Sequence, residues 1–350
     1  MLEKKSTKAI ALYSGGLDST LSILVIKQQG IEVEAVYFVT NFGCDKNSEW
    51  ALKVSRKFGF EVRFFDIEDK FLETLRNPRY GYGKNMNPCV DCRILMLKEA
   101  KKYMNERGAH FVITGEVLNQ RPFSQRRQFF KTIDREAGLS GYVLRPLTAL
   151  CLEPTIPEKE GLVKRDLLYG FEGRSRKPQM ALAQRFGLYE YPTPAGGCLL
   201  TDPIYSLRLR ELLKTNPEVK KRDIYLLKIG RHFRLNPECK VIVGRNKKEN
   251  EMLESIGVTG DILLKAVDFP GPTVLIVGSV TEHEIDIAAS ICARYSDGKL
   301  KREIRIKAYI VTEKNGEPSK EVLKECIIHN VNYDFIERLL IAPKPFQKSL

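Results

Sequence analysis

The first two hundred residues predict an α/β fold, a doubly wound and mostly parallel sheet with helices on both faces. Short apolar runs rich in β-branched and aromatic residues alternate there with segments whose apolar residues recur at helical spacing. Several of the helical segments close on a glycine, which is common at the carboxyl end of an α-helix. Near residue 203 the rhythm changes to more strands and fewer long helices, which predicts a second, smaller α+β domain. We therefore expect domains at 1–203 and 204–350.

Five strands are predicted in the first domain, and the loops that follow them are where a ligand is expected. Ligands of such sheets bind beyond the carboxyl ends of the strands. In chain order the predicted strands are KAIALYS, EVEAVYFV, EVRFFDI, HFVITGE and YVLRPLT. The predicted helices are DSTLSILVIKQQG, NSEWALKVSRKFGF, CRILMLKEAKKYMNERGA and RKPQMALAQRFGL.

The composition favours a polyanionic partner. The 350 residues include 57 Lys and Arg against 44 Asp and Glu, a formal net charge of +13, which is typical of nucleic-acid-binding proteins and also of lysine-rich proteomes. No secretory signal and no apolar run long enough to cross a membrane is visible, so we expect a cytoplasmic protein. In that compartment the eight cysteines are expected to be free, catalytic or metal-bound rather than paired in disulfides.

The segment SGGLDST, which follows the first predicted strand, has the features of a phosphate-binding loop. Its glycines allow backbone N–H groups to converge on an anion, its hydroxyls add donors, and the following helix offers the positive end of its dipole. It lacks the Gly-Lys-Ser/Thr ending of the Walker loop. Asp18 suits either a magnesium ligand or a helix cap, and the simpler alternative for the whole segment is a capped glycine turn.

The complete string resembles the signature of the PP-loop ATP pyrophosphatases. This resemblance implies that the protein binds ATP with Mg²⁺, transfers AMP to a substrate oxygen and releases pyrophosphate. A second segment, TGEVLNQ, resembles the second nucleotide motif of the tRNA 4-thiouridine synthetases in the same superfamily. The residues implied for nucleotide binding are Ser14, Gly15, Gly16, Asp18, Ser19, Thr20, Thr114, Gly115 and Gln120, with Gln125 nearby.

Three cysteines are the candidates for sulfur or metal chemistry. Cys89 and Cys92 form a C-x-x-C pair that opens a helix, and Cys198 follows a glycine-containing loop. Helix N-termini and neighbouring cations lower the pKa of thiols, so we expect the pair Cys89 and Cys92 to be thiolates that act as nucleophiles or metal ligands. The other cysteines fit a structural or loop role, namely Cys44, Cys151, Cys239, Cys292 and Cys326.

These cysteines resemble those of two groups of tRNA thiolases. Asn87-Pro88, Cys92 and Cys198 match the tRNA 2-thiouridylases, which usually have aspartate where this chain has Cys89. A C-x-x-C with a distant cysteine is instead carried by the iron–sulfur-dependent thiolases, which implies a 4Fe-4S cluster with one iron open to sulfide. A persulfide on Cys198 released by Cys92, or a zinc site, are the alternatives.

In the second domain, residues 240–299 resemble the NFACT RNA-binding domain. The matching segments are Gly244 to Asn246, Asn250, Leu253, Asp261, Asp268 to Gly271, Ala288-Ala289 and Tyr295-Ser296. Since the chain begins almost directly at the first strand, RNA binding is expected from this domain. A basic face of Arg245, Lys247, Lys248 and Lys265 suits RNA phosphates, and a solvated lysine face is the alternative.

Together these features predict an ATP-dependent tRNA uridine thiolase. Adenylation of a uracil oxygen would create the leaving group that sulfur then displaces, with sulfur from a donor protein or sulfide. A homodimer is common among cluster-dependent relatives, but nothing in the sequence indicates a surface for it. The alternatives are a PP-loop ligase similar to the deazaguanine-pathway enzymes, and a non-catalytic RNA-binding protein that senses ATP or iron–sulfur status.

Overall fold

A computed structural model describes residues 7–43, 47–192, 198–314 and 316–341. The chain divides into two compact units, Met1–Asp202 and Pro203–Leu350. No helix among the described residues is both long and apolar enough to cross a bilayer.

The first unit is built on a five-stranded parallel sheet in the order β3-β2-β1-β4-β5. This is the α/β architecture that the alternating pattern predicts. Its strands are β1 (Lys8–Tyr13), β2 (Glu32–Val39), β3 (Glu61–Asp66), β4 (Phe111–Thr114) and β5 (Val143–Leu144). Its helices are α1 (Leu17–Lys27), α2 (Asn47–Phe58), α3 (Glu68–Arg76), α4 (Cys89–Glu106), α5 (Arg127–Glu136), α6 (Ile156–Lys159) and α7 (Lys177–Arg185).

Helices cover both faces of this sheet because side chains of a strand point alternately to its two faces. Ala9 and Ala11 of β1 belong to the core shared with α1, α2 and α7. Ile10 and Leu12 belong to the opposite core, which is shared with α4 and α5. The doubly wound prediction is therefore confirmed.

Glycines end several of these helices, as the sequence predicts. Gly30, Gly59, Gly108 and Gly187 follow α1, α2, α4 and α7 with positive φ between 61° and 78°. Side chains rarely adopt this conformation, so the glycine allows the chain to leave the helix without strain.

The order of the strands locates the crevice of the sheet. The chain passes from β1 outward to β2 and β3, and then returns to place β4 on the other side of β1. This reversal is a topological switch point, and ligands of open α/β sheets bind there at the carboxyl ends of the strands. The loops after β1 and β4 carry the SGGLDST and TGEVLNQ segments.

The second unit contains a six-stranded antiparallel sheet in the order β11-β10-β8-β9-β7-β6, which confirms the predicted α+β class. Helix α11 packs its buried side chains against this sheet. The strands are β6 (Arg231–Asn236), β7 (Cys239–Val243), β8 (Ile262–Ala266), β9 (Val274–Gly278), β10 (Ile304–Lys314) and β11 (Glu317–Ile328). The helices are α8 (Pro203–Thr215), α9 (Lys221–Leu226), α10 (Lys247–Ile256), α11 (Glu282–Tyr295) and α12 (Tyr333–Leu339).

Polar residues of the NFACT-like segment hold loops of this unit together. The side chain of Asn246 caps α10 by accepting a hydrogen bond from the Glu249 N–H at 3.0 Å. The Asn250 amide accepts from the Thr273 N–H at 3.0 Å. Asp261 forms an ion pair with Arg222. These motif residues thus have structural roles within the unit.

Candidate nucleotide and thiol site

The loop after β1 leaves the first N–H groups of α1 available to an anion. Gly15 has φ of 70°, and Gly16 precedes α1 without a side-chain cap. The hydroxyls of Ser19 and Thr20 both donate to the Gly16 carbonyl at 3.0 Å, and Ser14 Oγ lies 3.2 Å from Ser19 Oγ. These bonds hold the loop in one conformation, and the uncapped helix start supplies donors and a positive dipole for a phosphate.

The loop after β4 packs directly on this helix start. A Cβ atom at Gly115 would lie 2.5 Å from the Ser19 nitrogen and 2.6 Å from its Cα. Only glycine fits at such a distance from backbone atoms. Gly115 thus fixes the separation between the two predicted nucleotide segments. Thr114, which precedes it, is buried and donates to Glu116 Oε2 at 3.2 Å.

Glu116 belongs to a buried ionic network behind the site. Arg145, which is 3% exposed, donates from Nε to Glu116 at 3.1 Å and pairs with Asp134 at 2.8 Å. Arg93, one residue after Cys92, approaches the other Glu116 oxygen at 3.4 Å. The network ties the loop after β4 to α4 and α5.

Asp18 has protein partners on one oxygen and none on the other. Gln120 donates to Asp18 Oδ2 at 2.9 Å, and Arg176 forms an ion pair with the same oxygen. Oδ1 is buried and has no hydrogen-bond partner in the described chain. Burial raises the pKa of Asp18, against the positive charges of Arg176 and Arg121. A carboxylate with one free buried oxygen beside a phosphate loop fits a magnesium ligand.

Arg176 is the site residue that the sequence alone did not indicate. It lies 158 residues after Asp18 and immediately precedes α7, which packs against α1. It belongs to RSRKPQ, where it is one of several cations and has no distinguishing motif. Glu172 holds the preceding segment in place, since it accepts from Asn119 Nδ2 at 2.7 Å.

Several buried polar atoms near the loops have no hydrogen-bond partner among the residues that the structure describes. A buried polar atom without a partner is costly, and such atoms often mark a water or ligand position. They lie on residues of α1, of the loop after β4 and of α7. The atoms are Asp18 Oδ1, Ser22 Oγ, Gln120 Oε1, Gln125 Oε1, Gln179 Oε1 and Gln179 Nε2. This distribution supports a polar ligand in the crevice.

The three candidate cysteines converge in the first unit. Cys89 is the first residue of α4, and Asn87 Nδ2 donates to its sulfur at 3.2 Å. Asn85 Nδ2 donates to the Thr201 carbonyl at 2.6 Å, which ties the approach to α4 to the segment of Cys198. The three thiols are near enough that charge on one raises the pKa of another. The loop 193–197 and Cys44 lie outside the described residues.

Burial raises the pKa values of two of these thiols. The pKa of Cys92 rises to about 12 and that of Cys198 to about 11. Cys92 does lie in the first turn of α4 with Arg93 beside it, but the loss of water outweighs both favourable charges. For Cys92 this direction is opposite to the lowering of the pKa that the start of a helix and a neighbouring cation predict.

Arg121 links the thiols to the nucleotide loops electrostatically. Its positive charge lowers the pKa of both Asp18 and Cys198, although burial has the larger effect on each. It follows Gln120, whose side chain contacts Asp18. One cation therefore acts on the loop after β1 and on the cysteines.

The described residues contain no preformed site for a metal ion, since no three of their His, Cys, Asp or Glu side chains are arranged to hold one. Zinc requires ligands at about 2.0–2.3 Å in a tight tetrahedron. An iron–sulfur cluster spreads its thiolates around several irons, and Arg93 and Arg121 would offset their charge.

The predicted basic face of the second unit is partly neutralised by carboxylates. Arg245 donates from Nε to Glu249 at 2.9 Å, and Lys265 pairs with Glu254 at 2.5 Å. Lys247 is exposed, as is Lys248, and neither has an acidic partner among the described residues. These two lysines are the more available cations of the four.

Comparisons with known proteins give the same division of the chain. Residues 4–156 match the family model described as thiamine biosynthesis protein (ThiI), and residues 230–326 match the NFACT protein RNA binding domain. The first match lies within the first unit and the second match within the second unit.

Relatives of the PP-loop domain include tRNA-modifying proteins. The chain is 34% identical over 120 residues to the tRNA-specific 2-thiouridylase MnmA of Sulfurimonas denitrificans, an alignment that covers 32% of this chain and 35% of that protein. It is 23% identical to the tRNA sulfurtransferase of Desulfurococcus amylolyticus, over 63% of this chain and 41% of the other. The chain thus spans about a third of the length of the first of these relatives.

Among solved structures, the chain is similar to a 4-thiouridine synthetase in complex with RNA and ATP. That alignment has a TM-score of 0.39 at 22% identity and covers 63% of this chain and 52% of the other.

Proposed function

We propose that the protein is an ATP-dependent sulfurtransferase that thiolates a uridine of tRNA. The observation that carries this proposal is the convergence, in one unit, of a phosphate-binding loop and three cysteines, with Arg121 acting on Asp18, Cys89 and Cys198 and Arg93 acting on Cys92. The matches to ThiI and NFACT models and the names of the relatives support tRNA as the substrate class.

In the first step the chain binds ATP with Mg²⁺ and activates the base. The N–H groups at the start of α1 and the Arg176 guanidinium would bind phosphate oxygens, and Asp18 Oδ1 would hold the magnesium ion. The uracil carbonyl oxygen attacks the α-phosphorus, the bond to the β-phosphate breaks, and pyrophosphate leaves. The base then carries AMP as a leaving group.

In the second step sulfur replaces AMP. A sulfur nucleophile attacks the activated carbon, the carbon–oxygen bond breaks, and AMP departs with that oxygen. Water must be kept from the activated base during this step, since water would only restore the uridine.

Cys89, Cys92 and Cys198 would hold a 4Fe-4S cluster whose fourth iron is open. Bound there, the cluster supplies a site at which exogenous sulfide is held for transfer. Arg93 and Arg121 offset the negative charge of the three thiolates. The persulfide alternative uses Cys198 as the sulfur carrier and Cys92 as the thiol that releases it.

The function is tested by incubating the purified protein with ATP, Mg²⁺, sulfide and bulk tRNA. We expect tRNA-dependent pyrophosphate release and a thiouridine detected by mass spectrometry after nuclease digestion. Loss of thiouridine in Cys198→Ala with pyrophosphate release retained would separate the two steps. If no RNA stimulates pyrophosphate release, the proposal fails and the sensor or ligase alternative gains support.

The sulfur chemistry is tested on anaerobically purified protein by measuring iron and acid-labile sulfide per chain. About four irons, lost in the Cys89→Ala, Cys92→Ala and Cys198→Ala variants and retained in Cys151→Ala, would support the cluster. Protein without iron would contradict the cluster proposal and leave the persulfide alternative. The next experiment would then be to trap a persulfide on Cys198.

A further inference from the structure

Strand β11 is an unpaired edge of the sheet in the second unit. Within the described chain it pairs with β10 alone and ends the strand order. At its centre Val322 is 62% exposed and Leu323 is 46% exposed. Exposed edges are sites at which another strand can add, so they need either protection or a partner.

The charges of this strand are arranged symmetrically about its centre. The sequence reads Lys320-Glu321-Val322-Leu323-Lys324-Glu325. If a second copy of the strand runs antiparallel about the point between Val322 and Leu323, each lysine meets a glutamate. Lys320 then faces Glu325 of the second copy, and Lys324 faces its Glu321.

A bulge makes this symmetry compatible with the pleat. In a regular strand, side chains five residues apart point to opposite faces and could not meet across a symmetric pair. Here Val322 pairs with Tyr309 while Lys324 pairs with Ala308, so Leu323 is the extra residue.

The β10 residues that pair with β11 show to which face of the sheet each β11 side chain points. Lys320 pairs with Val311 and Glu325 with Lys307, and positions 307 and 311 lie on one face of β10. Glu321 and Lys324 pair with Ile310 and Ala308, which lie on the other face. Both charge pairs are therefore side by side across the symmetric interface.

We propose that two copies of the chain associate through β11, antiparallel and in this register. The six-stranded sheets then join into one continuous sheet, with Val322 of each copy opposite Leu323 of the other. The strand's unpaired backbone groups gain hydrogen bonds, and the exposed apolar pair at its centre is covered. The proposal is independent of the function assigned to the first unit.

Charged residues on an edge usually prevent pairing, and here they select the partner. A lysine that meets an apolar strand or a like charge opposes association. Each lysine of this strand faces a carboxylate of the added strand only when that strand is the same sequence in this register, and a shift by one residue places side chains on the wrong faces. Within one copy Lys320 also pairs with Glu254 at 2.9 Å, Lys324 with Asp286 at 2.8 Å and Glu321 with Lys314 at 3.0 Å, so the second copy adds to these pairs.

The test measures the mass of the full chain in solution by analytical ultracentrifugation over a wide range of concentration. We expect a dimer for the native chain. Lys320→Glu places two carboxylates opposite each other at both symmetric positions and should weaken association about tenfold or more. The swap Lys320→Glu with Glu325→Lys should restore the dimer. Thermal unfolding of each variant checks that the second unit still folds.

A disulfide trap tests the register directly. Ser319 lies opposite Cys326 of the second copy, and the two positions share a face because they pair with Thr312 and Ile306. Oxidised Ser319→Cys protein should give a covalent dimer, which Ser319→Cys with Cys326→Ser should not. A monomer at all concentrations, a dimer unaffected by Lys320→Glu, or failure of the charge swap to restore it would each overturn the proposal.

Discussion

At the scale of the residue, burial and close contact decide the chemistry of the site. The sequence predicted thiolates from a helix start and adjacent cations, yet burial raises the pKa of Cys92 to about 12. The backbone of Ser19 constrains Gly115, because a Cβ atom at this position would lie 2.5 Å from the Ser19 nitrogen. Asp18 is held by an arginine that no local motif indicates.

Replacement of Gly115 by alanine should separate the two nucleotide segments. The new methyl group would meet the Ser19 backbone, so either loop must move by a substantial fraction of an ångström. A displacement of about 1 Å at a reacting centre can cost about a hundredfold in rate, and we expect a loss of that order in pyrophosphate release. Gly43→Ala is the control, because its Cβ would make only an ordinary contact of 3.6 Å. Equal activity of the two variants would contradict the packing argument.

Arg176→Gln should weaken ATP binding. A charge-assisted hydrogen bond contributes about 1.5–3 kcal/mol, so the KM for ATP should rise about tenfold to a hundredfold, with partial recovery in Arg176→Lys. Arg174→Gln, an exposed change two residues earlier in the same segment, should leave the KM unchanged. Titration calorimetry with pyrophosphate measures the phosphate contact separately. Unaltered pyrophosphate affinity in Arg176→Gln would assign Arg176 only to holding Asp18.

At the scale of the element, periodicity predicted the strands better than the helices. All five strands of the parallel sheet occur where the sequence predicted them, and the inner strands β1 and β4 are the continuous apolar segments that a buried parallel strand needs. Helices α3 and α5 were not predicted. They are short and mostly polar, and each buries only a narrow stripe, such as Phe130 and Ile133 of α5. Packing against the sheet stabilises them more than their composition does.

A buried carboxylate joins β1, β2 and α4 near the amino ends of the strands, at the end of the sheet opposite the site. Glu34 accepts from Tyr103 at 2.7 Å and from Arg107 at 2.8 Å, and it pairs with Lys8. Burial opposes ionisation, but these partners together lower the pKa of Glu34 to about 2.

Glu34→Gln should lower the free energy of unfolding by roughly 3 kcal/mol, because it leaves Lys8 beside a neutral group. Glu32→Gln on the same strand is the control, since this exposed carboxylate should contribute under about 1 kcal/mol. The folded pKa lies below the usual value of 4.5, so this stabilisation is complete above about pH 4.5 and is lost as the pH falls toward 2. Urea unfolding at pH 7 and at pH 3.5 measures both effects. A difference between native and Glu34→Gln protein that does not shrink at pH 3.5 would contradict the assignment.

At the scale of the whole molecule, the proposed catalytic and RNA-binding activities belong to two units with different sheets. The parallel unit contains the nucleotide loops and the thiols, and the antiparallel unit matches an RNA-binding domain. The net charge of +13 over the whole chain favours binding of tRNA through its phosphates.

Salt dependence should distinguish the free lysines of the second unit from its paired cations. Lys247→Ala with Lys248→Ala should reduce the slope of log affinity for tRNA against log salt by about 1.4–1.8, since each phosphate contact contributes roughly 0.7–0.9. Arg245→Gln should change the slope less, because Glu249 already neutralises this guanidinium. Filter binding over a range of salt concentrations measures both. A larger change for Arg245→Gln would show that the ion pair opens on RNA binding.

By itself the sequence determined the features that depend on neighbours in the chain. The order of strands and helices follows from hydrophobic period, and the phosphate loop from glycines, hydroxyls and a carboxylate within seven residues. The class of both domains was predictable for the same reason.

Only the tertiary structure decided which charges and thiols meet and how much water reaches them. Arg176 and Asp18 are 158 residues apart in the chain, and the packing of α7 against α1 brings them into contact. Tertiary packing also brings Glu254 to Lys265, whose charge it neutralises, and creates the buried surroundings that raise the thiol pKa of Cys198. The physical reason is that solvation and Coulomb energies depend on distance in space, which residue spacing along the chain does not specify.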